Sequence, residues 1–322
     1  MFEAMIKNQT AKQAKELAAW MARREETVAL PEGVWRTEDV AYLEDALPCH
    51  RMDLYQPIQE GPARPVLLNL HGGGFLLGSK EVNRYLCTDL SRRGFLVISL
   101  AYPLAPEATI FDIFRALTTG IDRAAALAAD YGGDPAQLYL CGDSAGAYLC
   151  YYLAALQNAP EAAQAAGVPQ IQTKIRAIGL QSGMFYTRKP DQIGLFLPKL
   201  LYGSDWRAHP FRPYLDPGHP ALVAAVPPCF LVTGRGDFLR NYSRQLASAL
   251  KRGGKNYKLL DLDEAKPLPH AFAALLPETP AATRANEQML AFFLQQAPDG
   301  APHGADSTPG GDGSGKILEI PR

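Results

Sequence analysis

The stretch Gly142-Asp143-Ser144-Ala145-Gly146 constrains this chain more than any other. A serine with glycine two residues away on each side fits a turn too tight for side chains at those flanks, with the serine held in a strained backbone conformation. The flanking sequence makes the turn a junction between two kinds of element. Upstream, Gln137-Leu-Tyr-Leu-Cys141 is short and apolar, as in a strand buried on both faces of a parallel sheet. Downstream, Tyr148 to Leu156 has the length and apolar content of a buried helix. Strand, sharp turn and helix are expected in that order, with Ser144 at the carboxyl end of its strand.

A second glycine string sits in the same kind of context. Pro65-Val-Leu-Leu-Asn-Leu70 reads as another buried strand, and it delivers His71-Gly72-Gly73-Gly74 before Phe75-Leu-Leu. Successive glycines let backbone N–H groups turn toward a ligand with no Cβ in the way. Donors of that kind hold the oxyanion that develops when a carbonyl carbon is attacked. One motif therefore offers a nucleophile and the other offers the anion site that acyl transfer needs.

A serine hydroxyl attacks poorly unless a neutral imidazole takes its proton and a carboxylate orients that imidazole. The histidines are at positions 50, 71, 209, 219, 270 and 303. In an α/β-hydrolase, the fold such an elbow resembles, the chain order is serine, acid, histidine, which removes His50 and His71. His303 lies in a Gly- and Pro-rich terminus, and His209 and His219 lie in proline-rich sequence ahead of the last two expected strands. His270 remains, in Pro267-Leu-Pro-His270-Ala-Phe272 just after the final strand. The acid belongs at the end of the penultimate strand, where Phe230-Leu-Val-Thr-Gly-Arg-Gly-Asp237 runs through glycines to a carboxylate. Asp261 and Asp263 are rivals within or at the end of the last strand.

Composition narrows the function class. With 32 basic against 33 acidic side chains the formal charge is −1. No global field gathers nucleic acid or an anionic membrane surface, and a small neutral ester fits better as a partner. A homodimer is compatible with the sequence. Cysteines 49, 87, 141, 150 and 229 are odd in number and mostly inside apolar runs, the usage of buried reduced thiols rather than of a disulfide framework. No Cys/His spacing resembles a metal site, and neither a metal nor an organic cofactor is called for. Charges scattered through Met1 to Trp20 interrupt any signal-peptide core, and no apolar run is long enough to span a bilayer, so a cytoplasmic protein is expected.

Along the chain, residues 1–45 read as one or two helices running into a first edge strand. An antiparallel edge pair is expected over 34–42 and 49–55. Further strands fall at 66–70, 95–100, 138–141, 177–180, 230–232 and 258–262, with helices over 82–93, 111–130, 145–157 and 242–252. Strands alternating with helical crossovers give a mostly parallel sheet with helices on both faces, which places ligands beyond the carboxyl ends of the strands. The core is then split into 46–184 and 226–297. Between them, 185–225 interrupts the rhythm with an irregular, proline-rich insertion read as a cap that roofs the site together with residues 1–45, and its apolar stretch 193–202 is a candidate acyl wall. Residues 298–322 turn to Gly, Pro, Asp and Ser and read as a disordered tail.

Taken together, His71-Gly-Gly-Gly-Phe75, Tyr102-Pro-Leu-Ala-Pro-Glu107 and Gly142-Asp-Ser-Ala-Gly146 resemble the hormone-sensitive-lipase-like group of α/β-hydrolase carboxylesterases. The resemblance implies an α/β-hydrolase fold with a helical cap, Ser144 as nucleophile, Asp237 and His270 as its partners, and an oxyanion hole from Gly73, Gly74 and Ala145 with Gly72 shaping the loop. It favours small uncharged esters of short acyl chain, cleaved through an acyl-serine intermediate. Four positions depart from the family pattern: Pro103 stands where Arg is common, Ala147 where a further Gly is frequent, Asn241 where a second acid often follows, and Ala271 where Gly usually follows the histidine. An amidase or deacetylase using the same residues, and a non-catalytic ligand-binding relative, are the alternatives.

Overall fold

The leucine- and valine-rich runs become strands, and their alternating side chains divide the core into two layers. The computed structural model describes residues 2–298, so the tail expected over 298–322 lies outside the described residues apart from Pro298. Strands β1 (Val34–Ala41), β2 (Arg51–Pro57), β3 (Arg64–Leu70), β4 (Leu96–Leu100), β5 (Gly133–Asp143), β6 (Ile175–Gln181), β7 (Cys229–Gly234) and β8 (Tyr257–Leu262) form one sheet. Its spatial order is β1-β2-β4-β3-β5-β6-β7-β8. β1 and β2 pair antiparallel at the edge, β2 meets β4 antiparallel, and every other pairing is parallel.

The helices are α1 (Phe2–Thr27), α2 (Arg84–Arg92), α3 (Ile110–Ala128), α4 (Ala145–Leu156), α5 (Pro160–Ala166), α6 (Gln192–Tyr202), α7 (Pro220–Ala225), α8 (Arg240–Arg252), α9 (Phe272–Leu275) and α10 (Pro280–Leu294). Val66, Leu68 and Leu70 of β3 point into the layer containing α3, α4 and α8, whereas Leu67 points into the layer containing α2, α9 and α10. That period of two is what burial on both faces requires. α3 begins where Thr109 and Asp112 form a reciprocal capping box, and Ile110, Ile113, Phe114, Leu117 and Ile121 give it one buried stripe.

Two regions differ from the sequence expectation. No strand interrupts 182–228 among the described residues, and the segment is irregular only in part: α6 starts after Asp191, whose side chain accepts from the Gly194 N–H at 3.0 Å, and continues through Pro198, while 203–219 is mostly turns and bends. Leu197, Leu201 and Tyr202 turn inward and join the main core. α10, which sequence reading leaves unassigned, covers the other face, with Phe293 stacked on Tyr139 at 5.0 Å between ring centroids. The amino terminus is a single helix. Arg24 pins its end: the buried guanidinium donates to Glu278 at 2.5 Å and lies 4.3 Å from the centre of the Tyr85 ring, while the Tyr85 hydroxyl donates to the Val28 carbonyl.

β3 and the first turn of α4 approach so closely that a Cβ on Gly146 would land on the Leu70 carbonyl oxygen. Gly146→Ala is expected to cost about 3 kcal/mol of stability or more. Gly254→Ala, at a positive-φ site with open space around it, is expected to cost only about 1 kcal/mol. Urea unfolding of the two variants checks the contrast; equal losses would contradict the close approach.

Candidate active site

Ser144 stands between β5 and α4 with φ 52° and ψ −113°, outside the conformations that L-residues favour. Its surroundings over-determine that strain. Its N–H donates to the Gln181 carbonyl at 2.9 Å, and its carbonyl accepts from the Met184 N–H at 3.0 Å. A Cβ on Gly142 would lie 2.6 Å from the Leu70 carbonyl oxygen, so neither glycine of the elbow tolerates a side chain. The hydroxyl is thereby lifted to the carboxyl edge of the sheet.

At the end of β7, the turn through Gly236, at φ 105°, brings Asp237 back over the strand. One carboxylate oxygen accepts from His270 Nδ1 at 2.7 Å and from the Leu239 N–H at 2.9 Å, and the other accepts from the Thr233 hydroxyl at 2.8 Å. Burial by itself raises the Asp237 carboxyl, but the His270 hydrogen bond and charge, with the Leu239 and Thr233 donors, outweigh it and hold the group below the usual carboxylate range. The loop carrying His270 is fastened by the Leu268 N–H to the Arg235 carbonyl and by the Ala271 N–H to the Ser182 hydroxyl at 3.1 Å. Ala271 itself has φ 56°, a left-handed conformation that glycine adopts at less cost.

The competing residues are engaged elsewhere. Asp261 pairs with Arg240 and Arg244, and Asp263 with Arg235. His50 pairs with Asp45, His209 stacks on Phe111, and His219 caps α7. His303 lies outside the described residues. Cys141 and Cys150 are buried, with their thiols pushed up by burial.

The glycine loop is held from beneath. Asp143, buried beside the serine, accepts from the Gly72 N–H at 3.0 Å and from the Asn83 side-chain amide at 2.7 Å. That contact commits the Gly72 N–H to the loop's anchorage, in keeping with the loop-shaping place expected for it. His71 is buried, its Nδ1 facing the Gly72 carbonyl at 2.6 Å, and its own carbonyl accepts from the Tyr102 hydroxyl at 2.6 Å. Gly73 and Gly74 take φ 118° and 62°. Among the described residues, the N–H groups of Gly73, Gly74 and Ala145 have no protein acceptor. Asn83, Thr233 and Ser182 escape sequence reading because single polar residues in apolar surroundings carry no motif; Tyr102 lies within a motif but its partner is invisible without the fold.

Ser144, His270 and the glycine loop share one cleft of about 840 Å³. Ser144 and His270 make no hydrogen bond to each other, and His270 Nδ1 is held by Asp237. Gln13, Glu16 and Leu17 of α1 line one wall, and Met184 another. Among the described residues, none of 185–225 lines it, which corrects the expectation that 193–202 forms an acyl wall. Leu197, Leu201 and Tyr202 of α6 are spent on the core instead, the Tyr202 hydroxyl 3.0 Å from that of Tyr148, while Leu195 stays exposed. No group of three or more His, Cys, Asp or Glu among the described residues is placed to hold a metal, and none of the described helices is long and apolar enough to cross a membrane.

A family model described as the alpha/beta hydrolase fold matches residues 67–274, which span both glycine motifs, Asp237 and His270. The chain belongs to the α/β-hydrolase family. Among curated relatives of this α/β-hydrolase, a probable isoprenylcysteine alpha-carbonyl methylesterase of Arabidopsis thaliana is 28% identical, covering 66% of this chain and 47% of its own. The carboxylic ester hydrolase LipN of Mycobacterium tuberculosis is 28% identical, covering 69% and 60%. An acetyl-hydrolase of Streptomyces hygroscopicus is 29% identical, covering 67% and 73%. The α/β-hydrolase thus spans about half the length of the first of these. Esterase B of Lactobacillus rhamnosis superposes with a TM-score of 0.84 at 24% identity, over 92% of this chain and 96% of the other, a likeness of fold.

Burial pushes the His71 imidazole down to about 4. Because the unfolded chain takes up that proton first, near pH 6.5, stability falls as pH drops toward 4. His71 alone is expected to remove about 2 kcal/mol between pH 7 and pH 5. Urea unfolding at the two pH values checks this: His71→Gln should lose about 2 kcal/mol less than the parent across the interval, and an equal loss would contradict it.

Proposed function

We propose that this α/β-hydrolase is a serine carboxylesterase that cleaves small, uncharged esters of short acyl chain. The observation that carries the reading is the 2.7 Å hydrogen bond between Asp237 and His270 in the cleft that also holds Ser144. Carboxylate, imidazole and strained serine come from three separate strand ends, and a common cleft is what general-base activation of the hydroxyl requires.

In the proposed reaction the Ser144 hydroxyl attacks the ester carbonyl as His270 Nε2 accepts its proton. Asp237 keeps Nδ1–H directed at itself, which fixes the tautomer and stabilises the imidazolium. The oxyanion is received by the free N–H groups of Gly73, Gly74 and Ala145, each such donor contributing on the order of 3 kcal/mol to the transition state. His270 returns the proton to the leaving alcohol, and water then enters by the reverse path to release the acid.

Cleft walls built from Leu17, Leu76, Leu77, Val82 and Met184 support an uncharged substrate. The resemblance to short-acyl carboxylesterases, and relatives bearing the names acetyl-hydrolase and carboxylic ester hydrolase, support ester cleavage and a small acyl group. α1, pinned at its Arg24 end and lining the cleft with Gln13, Glu16 and Leu17, is the cap element that closes over the ester.

Hydrolysis of p-nitrophenyl acetate and butyrate tests the proposal. Ser144→Ala is expected to fall below about one-thousandth of parental turnover, and Asp237→Asn to lower kcat roughly 10³- to 10⁴-fold with a small change in KM. Retention of most turnover by Ser144→Ala would rule it out.

A further inference from the structure

Single apolar side chains at a protein surface are common, but Phe238 is set apart by where it stands. It follows Asp237 directly and remains 69% exposed while the next residue, Leu239, is buried. Its ring centroid lies 4.3 Å from that of His270 with a tilt of 41°, and it lines the cleft that holds Ser144. The loop on the same rim contributes Pro267, Leu268 and Pro269. These four side chains are uncharged and apolar, whereas the α1 wall carries the polar Gln13 and Glu16.

The chemistry gives that rim a role. An imidazole that protonates the leaving oxygen must have the departing alcohol beside it, while the carbonyl oxygen of the same ester points into the glycine loop. An aromatic ring packed on the imidazole is therefore within reach of the alcohol portion. A flat apolar alcohol would cover the open face of Phe238, and ring pairs prefer such offset or tilted contacts.

We infer that Phe238 is the platform for the leaving alcohol and that it selects esters of aromatic or flat apolar alcohols. This rests on the roles of Ser144 and His270 proposed above. Phenyl acetate and ethyl acetate form the same acetyl-serine, so the ratio of their kcat/KM values reads only the acylation step, in which the alcohol is still present. In Phe238→Ala that ratio is expected to fall about threefold or more relative to the parent protein, the scale of one lost ring contact. Phe238→Tyr, which keeps the ring, is expected to hold the ratio within about twofold. A ring that merely props His270 would slow both esters alike, so a ratio changed less than about threefold in Phe238→Ala overturns the inference, as does an equal loss in Phe238→Tyr. A parent protein inert toward both esters and unlabelled by a fluorophosphonate overturns the underlying function instead.

Discussion

The close approach of the Leu70 carbonyl to Gly142 and Gly146 is the contact on which the rest of this molecule depends. It brings the end of β3 against the elbow between β5 and α4 with no space for a side chain. Two consequences follow at once. Ser144 is held at φ 52°, with its hydroxyl clear of the sheet, and the glycine loop leaving β3 begins beside that hydroxyl. Asp143 secures the arrangement by taking the Gly72 N–H from across the gap. One residue of the elbow thus fixes the loop that faces the neighbouring residue.

Electrostatics divides the site between fixed and free groups. Asp237 accepts hydrogen bonds from His270, Leu239 and Thr233, a satisfied buried carboxylate that stays charged. His71, also buried, has its Nε2 without a partner and is kept neutral. The two imidazoles therefore serve different ends. His71 is part of the frame beneath the glycine loop, stacked at 4.3 Å on Tyr102, and His270 opens to the cleft. Burial and partner, not residue type, separate them.

Much of this was legible in the sequence because backbone requirements leave residue signatures. Gly142 and Gly146 announce the elbow, alternating apolar residues announce the strands, and chain order isolates Asp237 and His270, which the fold then joins at 2.7 Å. Residues 193–202 were harder. An apolar stretch containing Pro198 reads as an irregular wall, and only the Asp191 cap together with inward packing of Leu197, Leu201 and Tyr202 makes it a core helix. α10 was passed over although Thr279-Pro280 at its start and the buried Ala281, Ala285, Met289 and Phe293, four apart, give it a local helical pattern; only its anchors, such as Asn286 meeting Gln181 at 2.9 Å, are long-range. Asn83 was illegible because its hydrogen bond to Asp143 exists only once the fold sets the two side by side.

Peptide mapping after reaction with an alkyl fluorophosphonate tests the central claim most directly. Convergence of the three strand ends predicts a single phosphonyl adduct on the peptide carrying Ser144, formed at least about 100-fold more slowly in His270→Ala, since the unassisted hydroxyl is a weak nucleophile. Modification at another residue, or an unchanged rate without the imidazole, would contradict it.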